Sequence, residues 1–250
     1  MRRSRRRPSR RTSAVVAVVA VAAAAWAVVT SPIFDVREIR ISGAARLDRA
    51  RVLEVAGVRE GMNLLGLDLR GVERSLAREP WVAAATVRRD LPSTVHLDLT
   101  ERIAAGVITD PRGTVIVASD GVVLERADGV PAARPSLGRS DRILRPGSRA
   151  PTPRPLLRVA ASLPEALRRH VARVRTGRDG VELDLARGGV VLYGPADQLQ
   201  AKNAALRQIL RYARREGIAI GYIDVRSPTG PALKPAGSPD PAEPVPTLEP

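Results

Sequence analysis

The 250-residue chain carries 41 Lys and Arg against 26 Asp and Glu, a formal net charge of +15, with two histidines and no cysteine. The missing thiols exclude disulfides, thiolate metal sites and a cysteine nucleophile, and His96 and His170 alone leave zinc or Ser-His-Asp chemistry little to work with. The positive charge would suit nucleic acid, but one Phe, three Tyr and two Trp offer few stacking surfaces, and the basic residues beyond residue 11 are dispersed, 34 of them among 26 acids. Nucleic acid is therefore not an expected partner, whereas attraction to anionic headgroups or a wall polymer stays open.

The other seven basic residues, Arg2, Arg3, Arg5, Arg6, Arg7, Arg10 and Arg11, stand directly before an unbroken apolar run, residues 14–29. A hydrocarbon core takes about 20 helical residues to cross, and Thr12, Ser13, Thr30 and Ser31 extend the run to that length before Pro32. The reading is a basic cytoplasmic tail (1–13), a single transmembrane helix (14–31) and an extracytoplasmic remainder, since basic flanks stay inside. A signal peptide cleaved near Ala23–Ala25 is the alternative; its apolar core would be only about 7–15 residues long.

After the apolar run, residues 34–41 alternate as a first strand, closed by Ser42-Gly43. Asp48 is placed to cap a short helix with Val52, Leu53 and Ala56 on one face and Gly57 as its stop. Asp68 starts a second helix, with Leu69, Val72 and Leu76 as its stripe and Pro80 as its end. Residues 81–88 and 94–101 are two further strands; in the second, Val95, Leu97 and Leu99 face one way and His96, Asp98 and Thr100 the other. The order is β-α-α-β-β.

That order, ending Trp81-Val82-x-x-Ala85-x-Val87-x-Arg89-x-x-Pro92-x-Thr94-Val95-x-Leu97-x-Leu99-x-Glu101-Arg102, resembles the POTRA domain of the bacterial FtsQ/DivIB cell-division family over residues 34–102. Ile103-Ala104-Ala105 follows where that family usually has a proline. Residues 103–226 are similar to the family's β domain. Within them, 115–124 reads as two strands about a turn at Asp120-Gly121, 126–152 as an irregular connection, and 154–163 and 164–170 as helices. Strands at 171–175, 181–185 and 190–193 follow, then a long helix over 198–215 stopped by Gly217, and a last strand over 218–226. Gly194, Lys202, Leu206 and Tyr222-Ile223-Asp224-Val225-Arg226 stand where the family has its corresponding motif. Residues 227–250, with eight prolines, read as a disordered tail. The fold class is α+β: one transmembrane helix, a POTRA-like domain, and a second mixed α/β domain ending in an edge strand.

No convergent titratable groups suggest catalysis, a cofactor or a metal. Glu182 and Asp184 alternate with Val181, Leu183 and Leu185 and point outward together, and the glycines of 57–61 and 187–189 belong to turns. An edge strand, in contrast, can accept a partner's strand through main-chain hydrogen bonds, and Ile220 to Arg226 is the natural candidate, with Val36 to Ile41 as a comparable edge in the first domain. The resemblance implies that this last strand receives FtsB/FtsL-type division proteins, with Tyr222, Asp224, Arg226, Ser227, Thr229 and Gly230 at or near the contact. It implies a non-enzymatic scaffold at the division septum, without small-molecule substrate. A polypeptide-handling role of the kind POTRA modules have in envelope assembly is the alternative; Trp81 is expected in the core.

Overall fold

The computed structural model describes residues 10–129 and 134–237; the side chains of 10–17, 24 and 25 fall outside that description. Most of the basic tail and everything from residue 238 onward lie outside the described residues. The chain divides into two compact units between Glu101 and Arg102.

Unit 1 begins with α1, Arg10–Val29. The described side chains of Val18, Val19, Val21, Trp26 and Val28 are exposed. Among the described residues no helix is long and apolar enough to cross a membrane. Thr30 closes α1 by donating both its N–H and its hydroxyl to Trp26 O, at 2.9 and 2.8 Å. A 3-10 turn, Pro32–Phe34, replaces the start of the expected first strand. Its neighbours are held by a loop: Val36 N–H donates to Met62 O, Gly61 N–H to Val36 O and Leu64 N–H to Phe34 O, at 2.7–2.8 Å. The edge expected at Val36 to Ile41 is thus already paired at Val36.

The strand proper, β1 (Glu38–Ser42), lies parallel to β3 (Thr94–Glu101), and β2 (Val82–Asp90) runs antiparallel on the other side of β3. Two helices, α2 (Arg49–Ala56) and α3 (Leu69–Ala77), complete the β-α-α-β-β order. Alternation in β3 buries Val95, Leu97 and Leu99, which pack with Ile39, Val52, Val72, Leu76 and Val87. Asp48 caps α2 through Oδ1, which accepts Arg51 N–H at 2.6 Å, and Gly57 ends it at φ 65°. Asp68 precedes α3 without a side-chain cap bond. Trp81 is buried, as core packing demands, with the Arg46 guanidinium 4.9 Å over its ring.

The Glu101 end of the sequence signature has a specific duty. Its Oε1 accepts three consecutive backbone N–H groups, those of Ala45, Arg46 and Leu47, at 3.0, 2.8 and 3.0 Å. Charged acceptors make the stronger hydrogen bonds, so Glu101→Ala is expected to cost unit 1 about 2–3 kcal/mol. The urea midpoint followed by Trp81 emission in a Trp26→Phe background measures this.

Unit 2 is a nine-stranded sheet in the order β12-β11-β10-β9-β8-β7-β4-β5-β6. Its strands are β4 (Ala104–Asp110), β5 (Gly113–Ala118), β6 (Val123–Ala127), β7 (Ser136–Arg139), β8 (Val171–Gly177), β9 (Gly180–Leu185), β10 (Val190–Gly194), β11 (Ile220–Asp224) and β12 (Ala232–Pro235). Helices α4 (Arg154–Ser162), α5 (Glu165–Arg168) and α6 (Leu199–Arg215) lie in between. Leu156, Leu157, Val159 and Leu206 from the helices meet Val174, Leu183, Val191, Tyr193 and Ile223 from the sheet in one core.

Three strands of unit 2 differ from expectation. β4 and β7 fall in segments with no expected strand, and β12 lies within 227–250, which reads as a disordered tail. The stretch Ala232–Pro235 forms a ladder with β11, Leu233 reaching the core, so order continues past Arg226.

Candidate partner-binding edge

β11 sits between two neighbours. It is parallel to β10, with Val190 opposite Tyr222 and Leu192 opposite Asp224, and antiparallel to β12, with Tyr222 opposite Lys234 and Asp224 opposite Ala232. Ile223 and Val225 are entirely buried, which anchors the strand, while Tyr222 and Asp224 turn to the half-exposed face. Because both sides of β11 are paired, the strand read as an edge is an inner one. The terminal strand of the sheet is β12.

The site residues fall into two groups around it. Tyr222 and Asp224 lie on β11, and the Lys234 ammonium stands 5.5 Å from the Tyr222 ring centroid. Arg226 binds Asp224 through Nη2–Oδ2 at 2.7 Å and Nε–Oδ1 at 3.1 Å, and Asp179 through Nη1 at 2.5 Å. The Arg226 guanidinium holds the Asp224 carboxyl below the usual carboxylate range. Gly194, at φ 73°, lets this pairing form: a Cβ there would come within 2.9 Å of Arg226 Cγ. Ser227, Thr229 and Gly230 make the turn from β11 to β12, closed by Gly230 N–H to Ser227 O at 3.3 Å and by the two hydroxyls at 3.3 Å. All six are therefore gathered at one end of the sheet, beside β12 and not along a bare edge.

The opposite end of the sheet is not free. Val123 N–H donates to Ser148 O and Gly147 N–H to Val123 O, both at 2.8 Å, and Val122 bridges Arg149, so residues 147–149 cover the start of β6. Among the described residues no strand pairs with the outer side of β12. Its capacity for one is limited, because Pro231 and Pro235 offer no N–H and Ala236 N–H is already given to Ala219 O. The donors that remain for an added strand come from Ala232 to Lys234. Gly221 fixes how closely β12 approaches: a Cβ there would lie 2.8 Å from Pro235 O and 3.1 Å from Lys234 O. Nothing in the sequence periodicity announces β12; the signal was only a short Ala-Leu-Lys between prolines.

Several polar groups elsewhere are engaged in structure. Arg175 binds both Glu182 (2.6 Å) and Asp184 (3.0 Å). His96 Nε2 lies 3.4 Å from Asp90. Lys202, almost completely buried, donates to Asp197 at 2.6 Å and Pro195 O at 2.8 Å. Burial pushes the Tyr193 hydroxyl up to about 12; it donates to Asn203 Oδ1 at 3.1 Å. Among the described residues no group of three or more His, Asp or Glu could hold a metal ion, and the hollow beside Arg226 measures about 10 Å³, the room of one water.

Comparison with known proteins agrees with this architecture. The family described as "POTRA domain, FtsQ-type" matches residues 34–102, and "Cell division protein FtsQ/DivIB, C-terminal" matches 106–226, stopping ahead of β12. A cell division protein FtsQ of Corynebacterium glutamicum is 39% identical over 107 residues, 43% of this chain and 47% of that protein. That of Mycolicibacterium smegmatis is 33% identical over 206 residues, 82% of this chain and 58% of its own length. The chain thus spans about half the length of these relatives. A FtsQ of Streptomyces bingchenggensis is 30% identical over 242 residues, covering 93% of this chain and 89% of that protein. With both units matched in order and a relative aligned over nearly its whole length, the chain belongs to the FtsQ/DivIB family of cell-division proteins.

Proposed function

We propose that the chain is a non-enzymatic scaffold of the bacterial divisome, anchored by residues 14–31 with its first 13 residues in the cytoplasm and both folded units outside, at the septum. It binds FtsB/FtsL-type partners and so helps control wall synthesis carried out by other enzymes. The anchor is supported by the uncharged sequence from residue 12 to 29, the arginines before it and the exposed valines of α1. One observation carries the partner reading: of the two ends of the nine-stranded sheet, the start of β6 is covered by residues 147–149, whereas among the described residues none covers the outer side of β12. A partner strand pairs with Ala232 to Lys234, beside Tyr222, Asp224, Arg226, Ser227, Thr229 and Gly230. Main-chain bonds supply the affinity and these side chains the selectivity.

Tyr222→Pro would break the ladder on an inner strand and unfold the site with its surroundings. Gly221→Val is the better probe, since a Cβ there meets the backbone of β12 first, at Pro235 O and Lys234 O. The tagged full-length chain, recovered from solubilised membranes, is expected to bring down small coiled-coil division proteins, and Gly221→Val to reduce that recovery more than tenfold. The near-UV signal of buried Tyr193 should persist. Equal recovery by both chains overturns the edge reading, and increased recovery would make β12 a plug over β11. Absence of division proteins from both would end the scaffold reading.

A further inference from the structure

We infer that Arg169, Arg187 and Arg214 form a surface of unit 2 that binds the phosphodiester headgroups of an anionic bilayer. This rests on the anchored reading above. Four elements bring the three side chains to one end of the sheet. Arg169 ends α5 and is followed by His170, whose carbonyl accepts Ala186 N–H at 2.9 Å, which sets Arg187 on the adjoining strand end. Gly189 then brings β10 against β11, where a Cβ would be 2.6 Å from Ile220 O, and β11 follows directly from the last turn of α6, which holds Arg214. All three arginines are exposed. Among the described residues none of them is ion-paired, although ion pairs engage other arginines such as Arg126, Arg175 and Arg226. Their convergence registers on His170, a half-buried imidazole pushed down by burial and then by the charges of Arg169, Arg187 and Arg214. Arg168, next in the chain, leaves its Nε buried and unpartnered.

The type of ligand follows from form and strength. Arg169, Arg187 and Arg214 are all exposed, so they present an open surface; the water-sized hollow lined by Asp179 and Arg226 contains none of them. Each basic residue near an anionic membrane is worth roughly a five-fold shift in population, and three give roughly a hundred-fold. That is too weak to capture a dilute soluble anion, yet ample for a domain already tethered to the lipid surface, where the effective concentration is high. Guanidinium groups also match phosphate oxygens in bidentate fashion.

The test uses the full chain, with labelled histidine rings, in nanodiscs that carry a paramagnetic headgroup. His170 is expected to relax several-fold faster in discs containing phosphatidylglycerol than in phosphatidylcholine discs, with His96 as the internal comparison. The enhancement should vanish in Arg169→Gln/Arg187→Gln/Arg214→Gln and at high salt. Equal relaxation in the two lipids, or an enhancement that survives the triple substitution, overturns the inference. Co-elution with neutral discs reports the anchor separately. If the chain fails to co-elute with neutral discs, the anchored reading falls and the inference, which needs the tether, falls with it; co-elution with equal relaxation removes the inference alone.

Discussion

Asp110→Ala is expected to destabilise unit 2 strongly while the stability of unit 1 is unchanged. The Asp110 side chain is completely shielded and accepts four hydrogen bonds: two from Arg126, each at 3.0 Å, one from Leu144 N–H at 2.9 Å and one from Arg112 N–H at 2.8 Å. Together they join β4 to β6 and to Leu144, just ahead of the residues that cover the start of β6. Truncation leaves a guanidinium and two amides without their acceptor, and breaking a buried pair from one side is far costlier than replacing both partners. The thermal midpoint of unit 2, followed by its tyrosines, should fall by roughly 10 °C or more. Asp110→Leu with Arg126→Met should recover part of that loss. All three tyrosines lie in unit 2 and Trp81 in unit 1, so the two transitions are separable by wavelength.

The same carboxyl sets an acid limit. The Arg126 guanidinium first, and the Leu144 amide next, hold Asp110 well below the usual carboxylate range. A carboxyl depressed in the folded state binds fewer protons there than in the unfolded chain. Its stabilisation is therefore complete above the unfolded value of about 4 and is lost as pH falls below it. Unit 2 melting should become pH-dependent below about pH 4, and Asp110→Asn should flatten that part of the curve. An unchanged slope in Asp110→Asn would assign the acid sensitivity to other carboxylates.

How legible each part was depended on where its strands get their pattern. β3 buries one face only, so Val95, Leu97 and Leu99 alternate visibly with polar residues. The helices announce themselves by caps and stripes, Asp48 and Gly57 for α2 and the Leu199–Ala213 stripe for α6. β4 is buried on both faces at nearly every position and built from Ala, Gly, Val and Ile, so it has no alternation to read. β7 is four residues with Gly138 at φ 122°, a strand that exists only because β4 and β8 flank it. β12 hides between prolines for the same reason: its partner, not its own composition, makes it a strand.

That last omission displaced the candidate site by one strand. Tyr222 to Gly230 all lie beside β12, and the direct pairing of Asp224 with Arg226 is a contact that their spacing alone did not specify. What sequence could not reveal was that the chain folds back over its own edge. The consequence is mechanistic. The main-chain groups of β11 are spent on β10 and β12, so the proposed strand addition needs the outer side of β12, and β11 has only side chains to offer.

Gly43→Ala is expected to be the most damaging single substitution in unit 1. Gly43 follows β1 at φ 75°, and a Cβ there would lie 1.8 Å from Leu99 O, a backbone atom of the central strand that cannot move aside. The close crossing has a purpose, because it delivers Ala45, Arg46 and Leu47 to Glu101 two residues further along β3. A methyl group must therefore push β1 from β3 or pull three amides off their carboxylate. Either displacement, added to the strain of a left-handed residue, should cost roughly 4 kcal/mol or more. Gly57→Ala is the control: it has a similar φ of 65° but nothing within 4 Å of the new Cβ, so it carries the conformational cost alone, about 1 kcal/mol. Urea titration of Trp81 emission in both variants separates collision from conformation. Equal losses would mean that β1 and β3 yield at the crossing and that Glu101 is not held by it.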